Sequence, residues 1–531
     1  MNLLKRIPWL AWLALAAVLL SAALLAALDG SADWLRGFIA YAVLLGLSAA
    51  SLLGAARLVG AEDKTAVAAA LTSFTVRLAV GTALFLLLPV VGYADSVEHQ
   101  TGYVFTDARI RDQQAWELAA SSDPLSQAFS GRFSGDQYGG LLALSAVVYR
   151  LLSPDFHRPL LIVILGAAAA AWGVLLLWKA SRNWFDPPIA RAAAWIFALY
   201  PESVLLGSSQ MREPFVIAAV AMALLGISVA APRRWAFLGW LAAAAVILFT
   251  IQPLAGMVAF GLAVGLWLLE PGRLRSGKRA HFFAPLILLI GALALALVIA
   301  ASVLANLPSL QGSGPFGVLA GWLQNNFAFQ SYLAERASGQ LQRLLDIVGE
   351  DWEWLVILVY GIAQPVLPSV VGDPGAAPVM RLIGFLRAAG WYALAPFLVY
   401  GVMGVLRARH EARRLQLAWL AAATWGWIAI AALNAGGDQW DNPRYRAILL
   451  AAQAILAAWA WHWARSRHDR WLGRWLAVEA VFVGLFTEWY VSRYVPSIPH
   501  PDIRIIIIAT LVIAALILGG GWLYDRKHPS R

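Results

Sequence analysis

Acidic and basic side chains stand together in three polar stretches of a chain that is otherwise apolar. Asp107 lies in the first stretch, Glu213 in the second and Arg444 in the third. A carboxylate can act as a general base. A guanidinium group offers phosphate a planar, bidentate set of donors that keeps its charge. These stretches are therefore the candidates for a catalytic or anion-binding site.

Each stretch also has a plainer interpretation, which the residues alone leave open. "FTDARIRDQQAWELAAS" is a predicted N-capped helix, and it also fits an amphipathic helix on the membrane surface with Ile110, Trp116 and Leu118 toward lipid. "SSQMREP" also fits a connecting loop with capping residues. Arg444 and Arg446 fit either phosphate ligands or anchors at the membrane interface.

The composition indicates which elements must position these residues. Hydrophobic residues make up 61% of the 531 residues and charged residues 13%, which is about half the charged share of an average soluble domain. Apolar runs of about 20 residues recur, and a helix of that length crosses a bilayer. The sequence therefore predicts an all-α polytopic membrane protein with about 14 transmembrane helices and with outer juxtamembrane helices between them.

The predicted spans divide the chain into four segments. These segments are a two-helix N-terminal addition (1–69), a membrane module (70–303), an outer loop with amphipathic and re-entrant helices (304–383) and C-terminal membrane helices (384–531). The spans themselves are predicted at 7–28, 37–60, 70–92, 159–179, 188–206, 213–231, 235–252, 254–270, 281–303, 384–406, 415–433, 445–463, 475–495 and 503–522.

The Lys and Arg residues predict the orientation of these spans. With the N-terminus inside, every Lys and most Arg residues lie in inner loops, as the positive-inside rule requires. The net charge of +10 then reflects membrane topology, and no basic patch interleaved with aromatic residues predicts nucleic-acid binding. The same orientation places the long segments 93–158 and 304–383 outside. Two shorter apolar stretches, 138–152 and 353–371, are predicted to be membrane-surface or re-entrant helices.

Metal and thiol chemistry find little support in the residue types. The chain has no Cys, which excludes disulfides and thiolate metal sites. Its eight His residues show no zinc-binding spacing. The sequence therefore predicts no zinc or thiolate metal site and no cofactor.

The order of the polar stretches resembles a known superfamily. An outer loop with "TDA" precedes "GDQYGGLLALSAVVYRLL", which is followed by "NWFDPPIARAAAWIFALYP" on an inner turn and span, by the outer "SSQMREP" and by a late "NPRYRAILL". This order resembles the GT-C superfamily of membrane glycosyltransferases. It is most similar to the branch of protein O-mannosyltransferases, aminoarabinose transferases and bacterial cell-envelope glycosyltransferases. The resemblance covers residues 90–270 well and 384–465 loosely.

The resemblance implies a function and a site. The donor would be a polyprenyl-phosphate sugar, the acceptor a hydroxyl on a glycan, lipid or protein, and the site would face outward from a bacterial cytoplasmic (inner) membrane. Asp107 would be the catalytic base, and transfer is expected to invert the anomeric carbon. The expected substrate-binding residues are Arg109, Arg111, Asp112, Asp136, Tyr138, Arg212, Glu213, Arg444 and Arg446.

The sequence departs from the family pattern in three respects. Many relatives have a double acidic motif where this chain has Asp107 followed by Ala108, and no Asp-x-Asp pair occurs in the second outer loop. A divalent metal is therefore possible but not favoured. Two spans precede the membrane module where relatives usually have one, so the N-terminal pair is read as an addition.

Two other functions remain open at this stage. A polysaccharide polymerase or ligase would also combine many spans with a large outer loop, and the segment 304–383 suits one. A transporter or lipid flippase would place ionisable residues within its spans. Gln453 and Glu479 lie in or near predicted spans and keep that alternative open.

Overall fold

A computed structural model describes residues 7–60, 63–130, 132–133, 136, 138–229, 234–271, 348–372, 375–435 and 438–528, with isolated positions at 317 and 345. All regular structure in these residues is helical. Seven of the described helices are long and apolar enough to cross a membrane, or eight if one bent pair counts as a single span. The predicted all-α class is thus confirmed, whereas the predicted count of about 14 spans is not.

Twenty α-helices follow one another along the described chain. The first twelve are α1 (Ile7–Leu28), α2 (Trp34–Leu58), α3 (Lys64–Val91), α4 (Val97–Gln100), α5 (Thr106–Ala120), α6 (Gly140–Leu152), α7 (Leu160–Trp184), α8 (Pro187–Leu199), α9 (Pro201–Gly207), α10 (Glu213–Ser228), α11 (Arg234–Ile251) and α12 (Pro253–Leu268). The others are α13 (Glu350–Ala363), α14 (Leu367–Gly372), α15 (Pro378–Arg407), α16 (Arg414–Asn434), α17 (Asp441–Arg446), α18 (Leu450–Ser466), α19 (Arg470–Val491) and α20 (Ile503–Lys527).

Two predicted spans are slightly shorter in the structure, and the two stretches predicted as short helices are helical. Helices α10 and α12 have only 16 residues each. The stretch 138–152 forms the short helix α6, and 353–371 forms α13 and α14. The predicted span 281–303 and the start of the 304–383 loop lie outside the described residues.

Asp and Pro residues determine where many helices begin. The side chains of Asp33, Asp63, Asp469 and Asp502 each accept a hydrogen bond from a backbone N–H of the first turn, which satisfies a group that the helix itself cannot pair. Pro201 has no N–H to continue α8, so the chain bends by 53° and restarts as α9.

A buried cation stabilises this bend. Arg77 of α3 is fully buried, and its guanidinium donates to the carbonyl of Ala198 at 2.7 Å and to Oγ of Ser203 at 2.8 Å. These acceptors lie just before and just after the break. In a membrane, backbone groups released by a broken helix need such internal partners, so Arg77 is explained by the bend.

Helices α7 and α18 form the centre of the bundle. Helix α7 packs against α2, α3, α8 and α10, while α18 packs against α8 and α15. The short helices α5 and α6 pack on each other over one end of this bundle. That end also holds the first residue of α10 and the start of α17, so residues distant in sequence meet there.

Candidate functional site

Three elements bring one arginine and two acids together. Nε of Arg444, from α17, lies 2.6 Å from Oε1 of Glu213 at the first position of α10. Nη1 of the same guanidinium lies 3.0 Å from Oδ2 of Asp107 in the first turn of α5. Arg444 and Asp107 therefore meet although they are 337 positions apart in the chain. We name this region the α5–α10–α17 site.

Local sequence explains how each of these side chains is presented. Asp107 occupies the first turn of α5, where a negative charge is favourable. Pro214 at the second position of α10 starts that helix directly after Arg212. Oδ1 of Asp438 accepts from the backbone N–H groups of Trp440 and Asp441 at 2.6 and 2.7 Å, which shapes the turn that leads into α17.

Two further arginines extend the site. Nε of Arg111, one turn after Asp107 on α5, lies 4.0 Å from Oδ2 of Asp136. The guanidinium of Arg212 lies over the ring of Tyr138 at 5.6 Å, and its Nε is 4.0 Å from Oε1 of Glu213. The site therefore contains Asp107, Arg111, Asp136, Tyr138, Arg212, Glu213 and Arg444.

A pair of glycines lets the Asp136–Tyr138 segment reach the site. Gly139 has φ +76°, a left-handed conformation that favours glycine. A Cβ on Gly140 would collide with the backbone carbonyl of Thr250 at the end of α11. Helix α6 can therefore begin against α11, while Oδ2 of Asp136 accepts from the N–H of Leu142 at 3.1 Å.

The side chain of Asp107 is more exposed to solvent than those of the other acids that contact Arg444. The side chain of Glu213 is 1% exposed and that of Asp107 is 54% exposed. Burial raises the pKa of the Asp107 carboxyl, but the charge and the hydrogen bond of Arg444 outweigh that effect, so its pKa lies below the ordinary range. Asp107 is thus an accessible carboxylate that stays ionised at neutral pH.

Several buried polar atoms of the site have no hydrogen-bond partner within the described part of the chain. They include Nε of Arg111, Nε of Arg212 and Oε2 of Glu213. Buried polar groups are normally paired, so an unpaired N–H is a donor that a bound group can engage. Arg111 and Arg212 therefore have donor capacity available for an anion, whereas Arg444 is already engaged by carboxylates.

Three predicted site residues lie apart from this group. Asp112 is buried on another face of α5, where its carboxylate accepts from the hydroxyl groups of Tyr103 and Tyr149, both at 2.6 Å. Arg109 donates to Oε1 of Gln113 at 3.0 Å along its own helix. The guanidinium of Arg446 also lies apart from the α5–α10–α17 site.

Arg446 is fully buried and contacts backbone rather than the site. Its Nη2 donates to the carbonyl of Gln364 at 2.9 Å, and its guanidinium lies over the ring of Trp391 at 3.4 Å. Arg446 is thus buried within the protein and lies apart from Asp107. Its surroundings support the packing of α17 against α13 and α15.

Asp441 is a site residue that sequence reasoning did not select. Its Oδ1 lies 3.4 Å from Nη1 of Arg444, three residues later in the same helix. The i, i+3 spacing of opposite charges in "DNPR" could have identified it. The carbonyl of Gln210, which accepts from Nη1 of Arg111 at 3.3 Å, carries no such signal because any residue type offers a carbonyl.

The acids of the site face guanidinium groups. Within the described residues, no three His, Asp or Glu side chains are grouped so that they could hold a metal ion. A cavity of about 390 Å³ lies at the other end of the bundle, lined by Pro188, Ala192, Ala458, Trp461, His462, Arg465 and Ser466. That cavity contains no carboxylate, and none of the predicted site residues lines it.

Comparisons with known proteins give one kind of relative. No family model and no curated protein matches the sequence. Among solved structures, the chain is similar to the archaeal oligosaccharyltransferase AglB from Archaeoglobus fulgidus in complex with an inhibitory peptide and a dolichol-phosphate, at 13% identity and a TM-score of 0.36. It is similarly related to the apo form of the oligosaccharyltransferase from that organism, at 14% identity and a TM-score of 0.37.

These structural neighbours are larger proteins than this chain. Each match covers 84% of this chain and 54% of the neighbour, so the chain spans about half of the neighbour's length. The neighbours are oligosaccharyltransferases, and the match to them is a structural similarity at 13–14% identity.

Proposed function

We propose that this chain is a membrane glycosyltransferase of the GT-C type that moves a sugar from a polyprenyl-phosphate donor to an acceptor hydroxyl. The observation that carries the proposal is the α5–α10–α17 site. It combines one accessible carboxylate, Asp107, with two buried arginines, Arg111 and Arg212, that have unpaired donors. Transfer from a lipid phosphate needs both a base for the acceptor and positive charge for the departing phosphate.

Asp107 is the proposed general base. The acceptor hydroxyl must lose its proton as its oxygen attacks the anomeric carbon, and a carboxylate within hydrogen-bond reach can take that proton. Asp107 is the most exposed of the acids that contact Arg444. Its position in the first turn of α5 leaves it open to a substrate.

Arg111 and Arg212 are the proposed phosphate ligands. As the bond between the sugar and the phosphate breaks, negative charge grows on the phosphate oxygens, and fixed guanidinium donors stabilise that charge. Both side chains are almost fully buried, so their interactions are weakly screened by solvent. In this proposal the arginines supply the positive charge, and no divalent metal is required.

Arg444 is proposed to hold the acids in place. Its Nε faces Glu213 and its Nη1 faces Asp107 and Asp441, so two of its three nitrogens are engaged by carboxylates. One base beside a phosphate site would act by direct displacement with inversion, which is the outcome that the resemblance to the GT-C superfamily implies. A double displacement would need a second, nucleophilic carboxylate on the opposite face of the sugar.

The glycosyltransferase proposal is favoured over a transporter by the position of the charges. The site lies at one end of the bundle, where α10 begins, whereas transporters place such residues near the midplane. We propose that this end faces outward from a bacterial cytoplasmic membrane and that the acceptor is a glycan, lipid or protein hydroxyl. The polymerase or ligase alternative depends on the 304–383 segment, most of which lies outside the described residues.

Binding of polyprenyl phosphate tests the proposal directly. In purified protein, Arg212→Gln should weaken binding of polyprenyl phosphate at least tenfold because a buried phosphate donor is lost. Arg132→Gln is the matched control, since Arg132 lies on the same predicted outer side but is exposed and paired with Asp123 at 2.6 Å. Equal binding by the wild type and Arg212→Gln would contradict the assignment of Arg212 to the phosphate.

A further inference from the structure

Helix α5 has a second anchored face, away from the site. Asp112 lies five positions after Asp107, which is about 140° further round the helix. Its buried carboxylate accepts from the hydroxyls of Tyr103 and Tyr149 and lies 2.9 Å from Nε2 of His157. Three chain segments, namely the turn before α5, helix α6 and the α6–α7 loop, therefore converge on this one carboxylate.

His157 also packs against α5 through its ring. The imidazole stacks on Trp116, one turn after Asp112, with ring centroids 5.6 Å apart and an interplanar angle of 19°. It meets the ring of Tyr149 edge-on at 5.2 Å. His157 thus holds α5 by both a polar and an aromatic contact.

The residue after His157 connects this anchor to the N-terminal helix pair. Arg158 has no exposed side-chain surface, and its Nε lies 3.0 Å from Oδ2 of Asp29 in the loop between α1 and α2. Its other nitrogens lie 3.1 Å from Oδ1 of Asp155 and 3.2 Å from Oγ of Ser31. A Cβ on Gly37 of α2 would lie 3.3 Å from Nε of Arg158, so the pair packs tightly on this guanidinium.

We infer that the N-terminal pair α1–α2 is a bracket that positions the catalytic helix, acting through Asp29, Arg158 and His157 on Asp112 of α5. None of these residues contacts the α5–α10–α17 site, so they are positioning residues. Their catalytic importance rests on the proposed function. Their effect on the position of Asp107 does not depend on that function.

The physical reason is that α5 is a short helix laid over one end of the bundle. Its site face carries Asp107 and Arg111, and its anchored face carries Asp112 and Trp116. If the anchored face is released, rotation or sliding of α5 moves Asp107 away from Arg444. A misplacement of about 1 Å can lower a catalysed rate about 100-fold. The two added N-terminal helices therefore acquire a role in the reaction through geometry.

The absence of Cys in the chain allows a direct test of position. In Asp107→Cys, the rate of thiol modification by a water-soluble methanethiosulfonate is followed against pH. Arg444 beside the thiol should hold its pKa below the ordinary value of about 8.5. Adding Asp29→Asn or His157→Leu should return the thiol pKa toward about 8.5, because α5 is no longer held against Arg444.

Two matched variants separate positioning from general damage. His157→Gln keeps a side-chain N–H donor near the position of Nε2, so it should retain the depressed thiol pKa. Arg36→Gln removes an exposed ion pair with Asp33 on the same helix pair and should change nothing. Hydrogen exchange of residues 106–120 in lipid nanodiscs should rise in Asp29→Asn and stay unchanged in Arg36→Gln.

The outcomes are decisive without any sugar substrate. A thiol pKa that is unchanged by both Asp29→Asn and His157→Leu would overturn the bracket. An ordinary thiol pKa in Asp107→Cys alone would also overturn it, because Asp107 would then not lie beside Arg444. In another outcome, the bracket variants raise the thiol pKa as expected while the wild-type chain fails to bind polyprenyl phosphate. That result would contradict the proposed function and support the positioning role of α1–α2.

Discussion

A single guanidinium organises the site at the scale of residues. Arg444 is 5% exposed in its side chain and lies within 3.4 Å of three carboxylates. A buried charge is costly unless it is paired, and removing one partner of a buried pair is more damaging than never having the pair. Removal of either Arg444 or Glu213 would therefore leave the other as a buried charge without its closest partner. Asp107, in contrast, keeps the exposure that the proposed general base needs.

In the proposed mechanism, the pH dependence of transfer follows from the pKa of Asp107. Because that pKa is lowered, the carboxylate is ionised above about pH 4, and activity should persist as the pH falls from 7 toward that value. Activity and the stability contributed by the Asp107–Arg444 pair should be lost only as the pH falls through the lowered pKa. In Arg444→Gln the acid limb of the profile of kcat/KM should move to higher pH, as initial rates at a series of pH values would show. An acid limb at the same pH in both proteins would contradict this account of the carboxylate.

The predicted site residues that lie apart show what residue type alone cannot determine. Arg444 and Arg446 are two positions apart, which is about 200° round a helix, so they cannot face the same site. Asp112 is next to Arg111 and likewise points elsewhere. Helical spacing could have separated these pairs from the sequence. The meeting of Asp107, Glu213 and Arg444 could not be derived from spacing, because it depends on how three distant elements pack.

At the scale of elements, buried arginines connect the broken helices. Arg387 of α15 lies 2.5 Å from Oε2 of Glu202 in α9, and its Nη2 donates to the carbonyl of Trp440 at 2.9 Å. Its guanidinium also lies over the ring of Trp440 at 4.5 Å. Because Trp440 precedes α17, this pair links the bent α8–α9 segment to the helix that presents Arg444.

Removal of Arg387 should destabilise this arrangement strongly. Arg387→Met leaves Glu202 as an uncompensated buried carboxylate, which costs about 3–5 kcal/mol of stability. Thermal unfolding in detergent should show a clear decrease in midpoint. The double variant Arg387→Met with Glu202→Gln should recover much of the loss, since no buried charge remains. A midpoint for Arg387→Met equal to that of the wild type would show that the pair contributes nothing.

The sequence predicts some helices more accurately than others, for physical reasons. Long apolar runs such as α7 and α20 lie close to their predicted positions, because length and hydropathy suffice to identify them. The sequence does not predict the bend at Pro201 or the start of α17 at Asp441, because a buried polar helix end has the same residue types as a loop. Arg444 and Arg446 therefore lie inside a continuous, largely buried helical run that begins earlier than the predicted span.

At the scale of the whole molecule, the two ends of the bundle differ. One end holds the α5–α10–α17 site and the Asp29–Arg158 contact. The other holds the Asp63–Arg191 pair at 2.7 Å and the Arg407–Asp469 pair at 3.1 Å, from loops that the charge pattern predicts to be inside. Loops predicted to lie on the same side of the membrane therefore meet at the same end.

The sidedness of the membrane can be measured with single cysteines in the Cys-free chain. Arg132→Cys, at the site end, should react with an impermeant maleimide added to intact cells. Arg409→Cys, exposed at the other end, should react only after the membrane is permeabilised. The reverse pattern would place the site on the cytoplasmic side and remove the proposed outward-facing reaction.

Sugar transfer by Asp107→Asn tests the central claim most directly. Asparagine keeps the shape of the side chain and cannot accept the acceptor's proton, so transfer from polyprenyl-phosphate sugars in native membranes should fall about 10²–10⁴-fold. Binding of polyprenyl phosphate should persist, and Asp123→Asn, an exposed acid of the same loop, should transfer normally. Transfer by Asp107→Asn at the wild-type rate would contradict the assignment of Asp107 as the base.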